Sequence, residues 1–319
     1  MTVSIVIPVY DEADNLLPLH MKLVEAGAAL GRPIEIVYVD DGSRDASFAR
    51  LMAIAENDAR MTVIRFRRNF GQTAAIAAGV TEARGQVIVL LDADLQNDPA
   101  DIPALVKKID EGYDVVSGWR RQRRDPFLSR GLPSMVANWL ISRATGVPLH
   151  DYGCTLKAYR SDVVKNIALY GEMHRLIPVY AAWVGARITE VPVRHYPRAH
   201  GRSKYGGWAR TFKVILDLIT AMFLGGYGTK PIYLFGGVAV SLCAAGVIFG
   251  AIVLYEKYAL GIFAHRNPLL LLAAFVFLLG VQSLMMGLLA ELGVRTYHES
   301  QHKPVYFVRQ VVRGGGLEN

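Results

Sequence analysis

Gln86-Val-Ile-Val-Leu-Leu-Asp92-Ala-Asp94-Leu-Gln96 is the stretch whose reading decides the fold. An apolar run with β-branched character ends abruptly in two carboxylates spaced i, i+2. In an extended chain alternate side chains point the same way. Asp92 and Asp94 can therefore aim their oxygens at one point just past the end of a strand. A hard divalent cation such as Mg²⁺ suits that arrangement, because it takes a few carboxylate oxygens and leaves its other positions to water and substrate phosphates. Ligands of open α/β sheets also bind off the carboxyl ends of the strands. Asp is equally a turn former, so the tripeptide alone leaves a metal–phosphate site and an Asp-rich turn both open.

Outward from this stretch, residues 3–119 alternate short β-branched runs with helical spacing. The pattern predicts strands at Val3–Val9, Glu35–Val39, Thr62–Phe66, Val87–Leu91 and Asp114–Gly118. Between them it predicts helices at Glu12–Leu30, Asp45–Asn57, Gln72–Ala83 and Ala100–Glu111. Such alternation gives an α/β domain with a mostly parallel, doubly wound sheet. The first strand is followed by Pro8-Val-Tyr-Asp-Glu, so neither a glycine-rich dinucleotide fingerprint nor a P-loop is present. From Arg120 to Tyr205 the pattern is mixed, with a basic segment, a helix over Leu132–Thr145 and a strand over Ile188–His195. Trp208–Leu224 is amphipathic and precedes the Gly225-Gly-Tyr-Gly-Thr hinge, which favours a helix lying in a membrane interface over an ordinary core helix.

Hydrophobic residues make up 52% of the 319, and mean hydropathy is +0.25. The excess lies in two uncharged runs, Ile232–Tyr255 and Pro268–Ala290. Each is about 34–36 Å long as a helix, enough to cross a ~30 Å hydrocarbon core with some tilt. Gly236, Gly237, Gly246 and Gly250 in the first run, with Gly280 and Gly287 in the second, suit close helix approach in lipid. The start of the chain has no basic n-region, so a signal peptide is not expected. Lys213 and Lys230 precede the first run and Arg295, Lys303 and Arg309 follow the second, against only Lys257 and Arg266 between them. That asymmetry places both termini in the cytoplasm. Four segments follow: a cytoplasmic catalytic domain over 1–203, a juxtamembrane helix and hinge over 204–228, a two-span region over 229–292 and a cytoplasmic tail over 293–319, fraying from Gly314.

Cys154 and Cys243 do not make a disulfide framework and read as free thiols. The net charge of +7 fits anionic headgroups and phosphorylated substrates. Nucleic acid is not an expected partner, since the basic residues cluster outside any recognised nucleic-acid module.

Asp92 and Asp94 are not alone at a strand end. Asp11-Glu12 follows the first strand and Asp40-Asp41-Gly42-Ser43 the second. Each has an ordinary reading, as helix-start charge or turn. Three in succession at the same topological place point to one acidic rim.

Together, Val6-Ile-Pro-Val-Tyr-Asp-Glu12, Val39-Asp-Asp-Gly-Ser43, Arg68-Asn-Phe-Gly71 and Asp92-Ala-Asp-Leu-Gln96 resemble the inverting family-2 glycosyltransferases of GT-A fold, and among them those acting on polyprenyl phosphates. Asp151-Tyr-Gly-Cys-Thr-Leu-Lys-Ala-Tyr-Arg160 is similar to a segment of bacterial enzymes that load a sugar, such as formamido-arabinose, onto undecaprenyl phosphate. With the two spans, the resemblance covers nearly the whole chain. It implies transfer of one sugar from a nucleotide-sugar donor, UDP-linked by preference, to a polyprenyl phosphate at the cytoplasmic face of the inner membrane. It implies that Asp92, Asp94 and Gln96 hold Mg²⁺ or Mn²⁺, and that Pro8, Tyr10, Glu12, Asp40, Asp41 and Ala93 line the nucleotide pocket. By the same resemblance Arg202 and Lys204 reach the diphosphate, and Arg120, Arg130 and Ser134 bind sugar and acceptor phosphate. Asp151 matches the residue in the place of a catalytic base, with orientation of the sugar as its other role. A homotetramer is an assembly that relatives of this kind make possible.

Two departures stand out. Gln72-Thr73 occupies positions where other members often carry Lys-Glu, and Gly225–Lys230 lacks the Thr-Thr-Pro-Leu-Arg-like junction of close relatives. Two rival readings remain. A processive polysaccharide synthase would carry a Gln-x-x-Arg-Trp motif and more spans, and neither is found. A non-catalytic, membrane-anchored nucleotide-sugar-binding protein would have no need of the acidic set with Asp151.

Overall fold

A computed structural model describes residues 1–121, 132–167, 173–197, 232–263, 267–300 and 308–313. The chain divides into two units, residues 1–218 with 304–319 and residues 219–303.

The first unit is built on β1 (Val3–Val9), whose sequence VSIVIPV is apolar at nearly every position. Strands buried on both faces read as continuous apolar runs rather than alternating ones. Val3, Ile5, Val6, Ile7 and Val9 are all at most 1% exposed, so β1 is an interior strand. Its side chains divide by parity. Val3, Ile5, Ile7 and Val9 pack with Leu16, Leu19 and Leu23 of α1 (Ala13–Leu30). Val6 faces the other way, toward Ala75, Ile76 and Ala78 of α3 (Gln72–Glu82).

Parallel β2 (Ile34–Asp40) and β4 (Val87–Leu90) flank β1, and β3 (Met61–Phe66) lies beyond β2. Helices α2 (Ser47–Ala55) and α4 (Ile102–Asp110) complete the alternating part. These elements match the expected pattern to within about two residues at each end. After β5 (Val115–Trp119) and α5 (Leu132–Thr145), β6 (Lys157–Arg160) inserts antiparallel between β4 and β5. Short helices α6 (Ser161–Val164) and α7 (Ile177–Trp183) lead to β7 (Ile188–Pro192), which pairs parallel with β5. The strand expected over Ile188–His195 thus stops at Pro192, and His195 lies beyond it in an isolated bridge to Asn97.

One element lies where only a tail was expected. Val308–Arg313 forms β8, antiparallel to β3, giving a sheet of order β7-β5-β6-β4-β1-β2-β3-β8. Returning chain therefore closes one edge of the sheet. The order reverses between β1 and β4. A switch point of this kind opens a crevice at the strands' carboxyl ends.

The second unit contains two apolar helices, Ile232–Ala259 and Pro268–Ser300. Within them Leu234–Ala259 and Pro268–Ala290, each of mean hydropathy 2.4, are long and apolar enough to cross a membrane. Two of the small residues mark where the helices touch. A Cβ at Gly246 would lie 2.9 Å from Phe277 N, and one at Gly280 would lie 2.9 Å from Cys243 N. Nothing among the described residues approaches Gly236, Gly237 or Gly250 in this way. The expected juxtamembrane helix and hinge, and the residues from Gly314 onward, lie outside the described residues.

Candidate active site

The register of the central strands brings the three acidic ends together. Val9 of β1 pairs with Asp40 of β2, and Val6 pairs with Leu90 of β4. Asp11-Glu12, Asp40-Asp41 and Asp92–Asp94 therefore leave neighbouring strands on one rim. Among the described residues, the two non-glycine residues with positive φ are Asp11 (50°) and Leu95 (60°), and both lie in these loops. Left-handed backbone at such residues costs free energy and collects at functional sites. Asp11 is held there by local bonds: its N–H donates to Ser43 Oγ at 3.0 Å, and its Oδ1 accepts from Arg44 N at 2.7 Å. At Leu95 the turn lets Gln96 N donate to Asp94 Oδ1 at 3.1 Å.

Asp40 is wholly buried. Its Oδ1 accepts from Ser43 N at 3.0 Å, while Oδ2 accepts no hydrogen bond from the described residues and lies 3.5 Å from Arg65 Nε. Burial raises its pKa above the usual carboxylate value. A buried acceptor with spare capacity at the rim is what an incoming N–H or O–H group would satisfy. Asp41 is buried as well, and burial pushes it up to about 6 against the pull of two N–H donors. Those donors are Phe70 N at 2.7 Å and Gly71 N at 2.9 Å. Asp41 thus clamps the Arg68-Asn-Phe-Gly71 loop, and Gly42 makes the close approach possible. At Gly42 φ is +67°, and a Cβ there would overlap the backbone of Arg68 and lie 2.8 Å from Asn69 N.

The clamped loop delivers Gln72, the first residue of α3, to the β4 end. Gln72 Nε2 donates to Asp92 Oδ1 at 2.7 Å. From the other side Thr155 Oγ1 donates to Asp92 Oδ2 at 2.6 Å. Gln72 and Thr155 are partners of Asp92 that motif reading missed. The departure at Gln72 and the polar residue inside the Asp151–Arg160 segment were the available signals. Burial first, and then the like charge of Asp94, push Asp92 up to about 6. Two like-charged carboxylates stand side by side here, one buried and one partly so, and a bound divalent ion would relieve their repulsion. Among the described residues no group of three His, Cys, Asp or Glu forms a closed metal cage. The donor set fits instead an ion sharing its coordination with phosphate and water.

The other expected residues fall as follows. Pro8, Tyr10, Glu12 and Gln96 are partly exposed at the rim, and Ala93 is buried beneath it. Glu12 takes the position before α1, where its Oε2 accepts from Asn15 Nδ2 at 2.6 Å. Asp151 is 1% exposed and is held bidentately by Arg120, with Nε donating to Oδ2 at 2.7 Å and Nη2 to Oδ1 at 3.0 Å. Two residues expected in separate roles, on base and acceptor phosphate, are therefore direct partners. Buried Lys157 of β6 donates to the carbonyls of Tyr152 and Cys154 and so fixes the turn after Asp151. Cys154 is a buried free thiol pushed up to about 11 by burial. Arg130, Arg202 and Lys204 lie outside the described residues. So does the Ser134 side chain, although Ser134 belongs to α5.

A doubly wound sheet with an acidic rim at its switch point defines an α/β domain of the nucleotide-binding type, and comparison with known families narrows the class. The model for "Glycosyl transferase family 2" matches residues 4–168, and the chain belongs to that family. It is 40% identical over 315 residues to a dodecaprenyl-phosphate galacturonate synthase of Rhizobium johnstonii, covering 98% of this chain and 93% of that one. It is 42% identical over 313 residues to an undecaprenyl-phosphate 4-deoxy-4-formamido-L-arabinose transferase of Pseudomonas paraeruginosa, covering 98% and 90%. Among solved structures it resembles glucosyl-3-phosphoglycerate synthase from Mycobacterium tuberculosis, with a TM-score of 0.51 at 17% identity over 70% of this chain and 77% of that one. That likeness concerns the GT-A fold.

Proposed function

We propose that this glycosyltransferase moves a single sugar from a UDP-linked donor to a polyprenyl phosphate, of the undecaprenyl type, at the cytoplasmic face of the inner membrane. The observation that carries the reading is the Asp92/Asp94 pair, two repelling carboxylates brought together at the switch-point rim of a chain that also holds two membrane-length helices. The relatives' names supply the acceptor class, since they act on dodecaprenyl and undecaprenyl phosphate.

In this reading Asp92 and Asp94, with Gln96, hold Mg²⁺ or Mn²⁺. A divalent ion held there would supply charge neutralisation for the departing nucleoside diphosphate. Asp40 and Asp41 face the nucleotide from β2, with Pro8, Tyr10, Glu12 and Ala93 around it. Arg202 and Lys204 contact the diphosphate, and Arg130 and Ser134 the acceptor phosphate. A phosphate monoester has its second pKa near ~6 and is mostly ionised at neutral pH. The nucleophile therefore needs little deprotonation. The harder task is holding one anion beside another. The Arg120–Asp151 pair answers that need: Asp151 fixes the planar guanidinium, and the pair orients sugar and phosphate for in-line, inverting displacement. A homotetramer is compatible with this scheme and is part of the proposal for relatives of this kind.

The test is a panel of nucleotide sugars, including UDP-galacturonate and UDP-linked formamido-arabinose, offered with undecaprenyl phosphate and Mn²⁺ or Mg²⁺. Glycolipid is read by mass. One added sugar on the lipid phosphate supports the proposal. Polymer would support a processive synthase, and donor binding without any transfer a non-catalytic protein.

A further inference from the structure

Glu190 sits on β7, the terminal strand of the sheet among the described residues, opposite Ser117 of β5. Its side chain is only 12% exposed, and its hydrogen bonds among the described residues go to a single dipeptide. Oε1 accepts from His150 N at 2.8 Å and from Asp151 N at 3.3 Å, while Oε2 is 2.7 Å from His150 Nδ1. The His150 ring, so anchored, stacks on Trp119 with centroids 4.4 Å apart and planes 20° from parallel. Trp119 immediately precedes Arg120, and His150 immediately precedes Asp151. One carboxylate therefore fixes the two chain segments that present the Arg120–Asp151 pair. It holds the 150–151 backbone directly and the 119–120 backbone through the stacked ring.

We infer that Glu190, acting through His150 and Trp119, is a positioning residue for sugar transfer that sets the alignment of Asp151 with Arg120. The inference rests on the proposed transfer reaction. Nothing about the edge of a sheet requires such a device. A loop could be fastened there by backbone pairing alone, as Gly118 N and Leu156 O do nearby at 2.9 Å. A buried carboxylate that spends both oxygens on the residue beside Asp151 and on Asp151 itself serves alignment. Small misplacements of oriented groups lower a rate strongly while leaving remote binding intact. The donor's nucleotide is held from β1, β2 and β4, so loss of Glu190 should spare its binding.

The experiment uses the full chain in detergent with undecaprenyl phosphate, the donor found active with the wild type, and Mn²⁺. Glu190→Ala is expected to lower kcat at least tenfold, with UDP affinity changed less than threefold. Glu190→Gln keeps an acceptor for the backbone N–H groups and is expected to recover at least a third of the lost activity. His150→Ala, which removes the ring but leaves the backbone contacts, should lower kcat by a smaller factor than Glu190→Ala. If Glu190→Ala does not fold, Glu190→Gln and His150→Ala still decide the matter through kcat at unchanged UDP affinity. Wild-type kcat in all folded variants would overturn the inference, as would parallel loss of kcat and UDP affinity. Absence of transfer by the wild-type protein would instead strike the proposed function, and the two failures are distinguishable.

Discussion

Asp151 carries the heaviest burden of any single residue, because its carboxylate meets Arg120 rather than standing free for a proton. Replacing it by Asn removes the charge that holds the guanidinium. Transfer is expected to fall at least about 100-fold while UDP binding, measured by calorimetry, survives. Near-normal turnover would mean that Asp151 has no part in catalysis. Asp41 makes a separate, pH-dependent prediction. Its folded pKa of about 6 lies above that of an unfolded Asp, so between those values the folded state binds more protons than the unfolded one. Its contribution to stability is thus greatest below the unfolded pKa and declines as pH rises through about 6. Relative to Asp41→Asn, the wild type should lose about 1–3 kcal/mol between pH 4 and pH 7, read from denaturant midpoints in detergent. A constant difference across that range would contradict the assignment of burial as the cause.

At the scale of elements, the parallel core was legible because its causes are local. The run Val3–Val9 is apolar without alternation, and the acids that follow each strand mark its carboxyl end. Register then does the rest, since pairing Val9 with Asp40 brings two of the acidic ends level. What escaped the sequence had non-local causes. Lys157–Arg160 is a four-residue strand with a charge at each end, and it becomes a strand only because β4 and β5 leave a gap between them. Val308–Arg313 reads as flanking charge after a span, yet it pairs along β3 through its backbone. The partners of Asp92 escaped for the same reason. Gln72 and Thr155 lie 20 and 63 residues away and meet it only in the fold. Gly42 was visible as a turn residue, but its need for closeness to Arg68 was not. Gly42→Ala combines a left-handed φ with backbone overlap and should cost at least about 1–2 kcal/mol, seen as a lowered melting temperature. A stability equal to wild type would mean that the Asp41 clamp can shift freely.

For the whole molecule, a soluble-type α/β core and a lipid-type helix pair are stabilised by different forces. The core rests on removing apolar side chains from water, so Ile5→Ala, at a site 0% exposed, should cost about 2–5 kcal/mol. The helix pair gains little from that effect within lipid and depends on close backbone approach. Gly280→Leu should therefore loosen the pair, because the Cys243 and Ala239 backbones already lie within 3.0 Å of a Cβ there. Gly250→Leu, with nothing near it, should not. Cross-linking between the two helices in membranes would read the difference. The proposed transfer depends most on Asp92 and Asp94. The most direct test is transfer to undecaprenyl phosphate by wild type, Asp92→Asn and Asp94→Asn across a titration of Mn²⁺ after chelation. The account predicts that wild-type glycolipid formation is abolished by chelation and restored by the ion, and that both variants fall at least about 100-fold at saturating Mn²⁺. Undiminished transfer in chelator, or wild-type rates in both variants, would contradict it.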